Sequence, residues 1–201
     1  MRFFRCLAVL LLAGNTGAWA DVGMITQLSG DVSLAAQGNK RPAVPFYKVS
    51  AGDKLALSAN ARLQMVYFGN GRQEVWQGAG EVEVGNLESR SSLEPRVTQL
   101  PPLVVNRLAK TPAAGQHGKT GMVRVRSLAK PDAAHIEKQY RELKAATEAD
   151  DTTPEVFFLS GLLEIRDFAR AKELLAEYAN SPALKSVVAH FSPIVEQSAS
   201  K

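Results

Sequence analysis

Arg62-Leu63-Gln64-Met65-Val66-Tyr67-Phe68 opens with alternating apolar and polar side chains, the period of a β-strand with one buried face. Gly69-Asn70-Gly71 follows, and Asn-Gly readily takes the positive φ angles of a two-residue hairpin turn. Arg72–Gln77 then reads as the returning strand, with Val75 and Trp76 as its bulky residues. Further along, Gly78-Ala79-Gly80 turns the chain again, and Glu81-Val82-Glu83-Val84 alternates with both valines on one face. Upstream, Val22–Gln27 and Asp31–Ala35 flank Ser29-Gly30 in another strand–turn–strand pattern. Strands this short and closely spaced predict a sandwich, barrel or solenoid-like roll, not a parallel sheet with helical crossovers.

The same residues carry a family likeness. Ser29-Gly30-Asp31-Val32, Val49-Ser50-Ala51-Gly52-Asp53-Lys54-Leu55, Ala61–Phe68, Gly69-Asn70-Gly71 and Glu81-Val82-Glu83-Val84 resemble the FecR domain in order and spacing. That family has an early Gly-x-Val turn, a Gly-Asp-x-Leu step, an apolar strand and an Asp-Gly hairpin, with Asn70 here in place of the Asp. The likeness covers about residues 22–85. It implies a periplasmic β-fold used in protein contacts and signalling. The best-known members are transmembrane regulators with a cytoplasmic segment and a membrane span before the domain. Here an export signal stands in that place, so the chain is expected to be a free-standing exported member.

That signal occupies the first twenty residues. Arg2 and Arg5 give a positive start, Leu7–Ala13 is a short apolar run, and Ala18-Trp19-Ala20 is a small-x-small cleavage site. Asn15, Thr16 and Gly17 end the apolar run well short of the roughly 20 residues a spanning helix needs. Cleavage after Ala20 leaves Asp21–Lys201, periplasmic or secreted, with no later apolar run free of charges and so no membrane span. The only cysteine, Cys6, leaves with the signal, which excludes a disulfide framework, a thiolate metal site and a cysteine nucleophile.

From Pro131 the period becomes helical. Ile136, Tyr140 and Leu143 form one stripe on a charged helix over 132–149. Thr153-Pro154-Glu155 is a helix start, with Thr153 as N-cap. Val156–Ile165 is apolar nearly all round and predicts the buried centre of this half. After a break at Arg166-Asp167, Phe168, Ala171, Leu174, Leu175 and Tyr178 resume helical spacing. Ser181-Pro182 starts a last helix, which Pro193 is expected to end or kink. Val156 to Leu184 resembles one degenerate tetratricopeptide-type hairpin through Gly161, Phe168, Ala171, Leu175 and Pro182, with Ala171 as the residue of close helix approach. An ordinary helical bundle fits the same pattern.

Charge divides the chain into three. Residues 21–98 hold eight basic and eight acidic side chains, residues 131–201 eight basic and twelve acidic. Residues 99–130 hold six basic ones and no acid, together with Pro101, Pro102, Pro112, Gly115, Gly118 and Gly121. This composition predicts a basic linker, either a solvated tether or a contact for an acidic partner. Arg107, Lys110, Lys119, Arg124 and Arg126 are its candidate partner-binding residues. Trp76 joins them as a stacking residue, against the alternative of a core position. Export makes nucleic acid an unsuitable partner.

No catalytic constellation emerges. His117, His135 and His190 are scattered, with no metal-chelating spacing among them. The carboxylate pairs Asp150-Asp151 and Glu81/Glu83 read as solvated charge, and Gly78-Ala79-Gly80 precedes a strand, not the helix of a phosphate loop. The expectation is therefore an α+β protein in two parts: an all-β FecR-like domain (21–98), the linker (99–130) and an α-helical region (131–201). Its expected role is non-enzymatic, without cofactor or metal, as a periplasmic protein-interaction or signalling accessory. The alternative is an envelope-polymer binder using the basic segment and Trp76 on peptidoglycan or an anionic glycan.

Overall fold

A computed structural model describes residues 20–36, 38–114 and 132–199. The first sheet is antiparallel, in the order β10 (Arg96–Gln99), β7 (Arg72–Gln77), β6 (Arg62–Tyr67), β1 (Asp21–Ser29), β4 (Lys48–Ser50). The second, also antiparallel, runs β3 (Asn39–Pro42), β2 (Val32–Ala36), β5 (Lys54–Leu57), β8 (Gly80–Glu83), β9 (Arg90–Ser91). The two sheets pack face to face. Ile25, Leu63, Met65 and Trp76 of the first meet Leu34, Leu55 and Val82 of the second in one buried cluster.

The expected hairpin joins β6 to β7 in register, with Arg62 opposite Gln77 and Val66 opposite Gln73. Its turn, however, spans residues 68–71, closed by the Gly71 amide on the Tyr67 carbonyl, and of Asn70-Gly71 only Gly71 takes a positive φ. Gly71 has φ +74°, a conformation that side chains other than glycine's rarely adopt. A Cβ there would also lie 2.8 Å from the Leu100 carbonyl. Two other turns do something the strand pattern does not reveal. Ser29-Gly30 and Gly78-Ala79 take the chain from one sheet to the other, because β1 and β7 belong to the first and β2 and β8 to the second. They are corners between sheets, not hairpins.

The helical layer begins earlier than the composition implies. Pro102–Lys110, inside the expected linker, is helix α1, with Val104, Val105, Arg107 and Leu108 buried. Proline is harmless at the first turn of a helix, where its missing N–H has no intrahelical partner. The paired prolines therefore start an amphipathic helix instead of marking open chain. Residues 115–130 of that linker lie outside the described residues.

Then come α2 (Ala133–Ala146), α3 (Thr153–Ile165), α4 (Phe168–Tyr178), a 3-10 turn (Pro182–Leu184) and α5 (Lys185–Ala199). As expected, α3 is buried, continuously from Thr153 to Leu162. Arg166, with φ +65°, ends it in a left-handed cap, and Asp167 starts α4 by accepting a hydrogen bond from the Arg170 amide. Pro193 does not end the last helix: α5 runs through it to Ala199. Among the described residues no helix is long and apolar enough to cross a membrane.

The helices cover the outer face of the first sheet. Met24, Val66 and Leu100 share a buried cluster with Val104, Leu108, Phe157 and Phe191. β6 is thus buried on both faces, from Leu63 through Tyr67, where alternation alone predicts one. The class is mixed α+β, with three layers: sheet, sheet, helices. Phe46, between β3 and β4, ties the layers together. Its ring stacks on His190 of α5 at 4.3 Å between centroids, and its amide donates to the Ile25 carbonyl at 2.7 Å.

Candidate functional site

Where the first sheet stops, its outer face and the helices diverge. β10 is the last strand of that sheet, paired only with β7, and all four of its residues are exposed. The Leu100 amide donates to the Gly71 carbonyl at 2.9 Å, which sets the phase of the ladder. Backbone groups of Arg96 and Thr98 point at β7, and those of Val97 and Gln99 point away from the sheet. Pro95 and Pro101 bracket the strand, a common way to keep an exposed edge short.

Between this edge and α2 lies a cleft of about 470 Å³. Leu100, Leu103, Val104, Leu143 and Phe157 give it an apolar lining, and Gln64, Gln73 and Asp151 lie at its polar end. All three polar side chains are buried, at 1%, 2% and 8% exposure. The Asp151 carboxylate organises them. Its Oδ1 accepts from Gln64 Nε2 at 2.8 Å and from the Thr153 amide at 2.8 Å, while Oδ2 accepts from Gln73 Nε2 at 2.9 Å. Gln64 Nε2 also donates to Thr153 Oγ1 at 3.1 Å, and Thr98 Oγ1 donates to Gln73 Oε1 at 3.3 Å. Sheet and helical layer are thus joined by a carboxylate from the loop that starts α3. Sequence reading placed Asp151 with Asp150 in solvent; only Asp150 is there, paired with Arg62 at 3.0 Å.

Gln64 Oε1 and Gln139 Oε1, both of cleft-lining residues, have no hydrogen-bond partner among the described residues although both atoms are buried. Three carboxylates line the cleft (Glu142, Glu148, Asp151) against one guanidinium, Arg96, which pairs with Glu148. Among the described residues Glu142 pairs only with Lys138, at 3.9 Å on the exposed helix surface. Asp151 has no cationic partner among the described residues. The cleft therefore offers acceptors and negative charge, with few donors.

The sequence-predicted site residues do not assemble. Trp76 is buried at 1% exposure in the sandwich core, its indole N–H donating to Glu74 Oε2 at 3.3 Å. Glu74 is itself fully buried and accepts from Arg72 Nε at 2.6 Å and the Ser89 amide at 3.2 Å. Trp76 thus completes an internal polar network and presents no stacking face. Arg107 is also buried, its guanidinium carbon 4.3 Å from the Phe157 ring centroid and its Nε 3.5 Å from Glu164. Burial pulls its pKa down and the nearby Glu164 opposes that. Lys110 is half exposed and shares Glu164 at 3.1 Å. Lys119, Arg124 and Arg126 lie outside the described residues, as do His117 and residues 1–19 with Cys6.

Glu81 and Glu83 are solvent-facing, on either side of Lys54 at 3.3 and 3.7 Å. Among the described residues no three His, Cys, Asp or Glu side chains could hold a metal ion. A second hollow, about 600 Å³ beside Gly69-Asn70-Gly71, has no charged lining residue. The sequence signal for the cleft was the run Gln64-Met65-Val66-Tyr67-Phe68, where alternation gives way to burial on both sides. Comparison with known protein families, with curated proteins and with solved structures gave no match.

Proposed function

We propose that this chain is a non-enzymatic, exported interaction module built on a FecR-like β-domain, docking a protein partner in the periplasm. The observation that carries it is the exposed edge of β10 beside an acceptor-rich cleft, the feature best suited among the described residues to bind another chain. The order of the Gly30, Gly52-Asp53 and Asn70-Gly71 steps supports the FecR part of the reading. The tripartite start supports export.

Two measurements test it. Mass spectrometry of the fractionated protein is expected to give a chain starting at Asp21 outside the cytoplasm; a full-length cytoplasmic chain overturns export. Photo-crosslinkers placed at surface positions in living cells are expected to trap a discrete protein adduct, and silence at every position overturns docking. The envelope-polymer alternative loses its support at Trp76 and Arg107, both buried inside the protein.

A further inference from the structure

We infer that the cleft binds a cationic peptide segment in extended form, added as a strand to the free edge of β10. The inference rests on the docking function proposed above and names its site and partner chemistry. An edge strand next to a helix with a cleft between them is the geometry of strand addition. Backbone hydrogen bonds supply the attachment and pockets for alternate side chains supply the selection. Here the outward N–H and C=O groups of Val97 and Gln99 are the attachment points.

Period-2 geometry fixes what the partner's side chains would meet. Those on one face of the added strand fall beside Arg96, Thr98 and Leu100, over the cleft. Those on the other fall beside Val97, which is 41% exposed. The cleft side carries net negative charge, with the carboxylates of Asp151, Glu142 and Glu148 against Arg96, which is paired with Glu148, and its Gln64 and Gln139 oxygens have no partner among the described residues. Lysine or arginine is the complement. Its aliphatic stem would cover Leu103, 44% exposed, and Leu143, while its head reaches the acceptors. The Val97 side suits a small β-branched residue.

The other sheet edges do not compete. β3 exposes Lys40 and Arg41 and ends in Pro42, so it would repel the same peptide. β9 and β4 are only two and three residues long.

The experiment is fluorescence anisotropy of the purified protein with three labelled peptides: alternating lysine–valine, alternating glutamate–valine, and the lysine peptide N-methylated at alternate amides. The lysine peptide is expected to bind saturably, weakening with salt. The glutamate and N-methylated peptides are expected to bind at least about tenfold more weakly. Val97→Pro, which removes an outward N–H at an edge position that tolerates proline, is expected to lower affinity for the lysine peptide. Glu142→Lys, on the exposed surface of α2, is expected to lower it too and to favour the glutamate peptide; circular dichroism confirms that both variants fold. Equal binding of all three peptides, no binding of any, or unchanged affinity in both folded variants overturns the inference. Photo-crosslinkers separate the two claims. Adducts from Leu87 but not Val97 leave the docking function standing and overturn this site. Adducts from neither position or any other overturn both.

Discussion

Asp151 shows how much one side chain can do when its position is decided by packing. Its carboxylate accepts three hydrogen bonds, two from glutamine amides on neighbouring strands and one from the Thr153 amide. Removing it leaves three buried donors without an acceptor, and each such loss costs about 1–3 kcal/mol before relaxation. Asp151→Ala is therefore expected to destabilise the protein by about 3 kcal/mol or more in urea unfolding, with Asp151→Asn intermediate because it keeps an acceptor. Tyr67 makes a pH-dependent case. Its fully buried phenol, bonded to Ser89 Oγ at 2.7 Å, is pushed up to about 12 by burial, against an ordinary value near 10. The fold accepts the neutral ring, so this stabilisation is intact below pH 10 and lost as the pH rises toward 12. The gap corresponds to about 3 kcal/mol. Tyr67→Phe is expected to cost about 1 kcal/mol at neutral pH, from the Ser89 bond. It should also flatten the alkaline decline in stability, read from denaturant midpoints across that window. Burial raises Tyr178 in the same direction, so a smaller decline should persist in the variant.

Among the elements, α3 is the central helix of its layer, and its contacts depend on one small residue. A Cβ on Gly161 would sit 2.7 Å from Ile136 Cγ2 of α2 and 3.1 Å from Arg107 Nη1 of α1. Sequence reading gave the close approach to Ala171, which is fully buried; Gly161 is a further position of close approach, against α1 and α2. Gly161→Ala gains about 1 kcal/mol of helix propensity but forces two packed neighbours aside, typically costing about 1–3 kcal/mol. A lower melting temperature is expected, and an unchanged or higher one would show that the neighbours give way freely. The start of α3 was legible in outline, since Pro154 does stand in its first turn. The cap was not: the Thr153 hydroxyl accepts from Gln64, and Asp151 receives the Thr153 amide. Local pattern can mark a helix start, but which nearby acceptor takes the free amide depends on what packs above it.

At the scale of the whole molecule, the two parts expected from the sequence share one interface. Met24, Val66 and Leu100 of the first sheet are buried under α1, α3 and α5. A fragment of residues 21–100 would expose that apolar face, so it is expected to self-associate and to bind a hydrophobic dye, where independent parts would give a soluble monomer. The intact protein is expected to unfold in one transition. Fluorescence of Trp76, the only tryptophan beyond residue 20, and helical circular dichroism should report the same midpoint. The sequence by itself determined the class, the strands of the Asn70-Gly71 hairpin, the buried character of α3 and its boundary at Arg166-Asp167. These follow from side-chain period and turn chemistry, which are local. Only the tertiary structure decided that Ser29-Gly30 is a corner between sheets, that Pro101-Pro102 opens a helix, and that Trp76 and Arg107 are interior. It alone joined Gln64, Gln73 and Asp151 beside the edge of β10. Period shows that a face is buried, but what buries it depends on residues far away in the chain. Asp151 lies 87 residues from Gln64, so no local signal links the two.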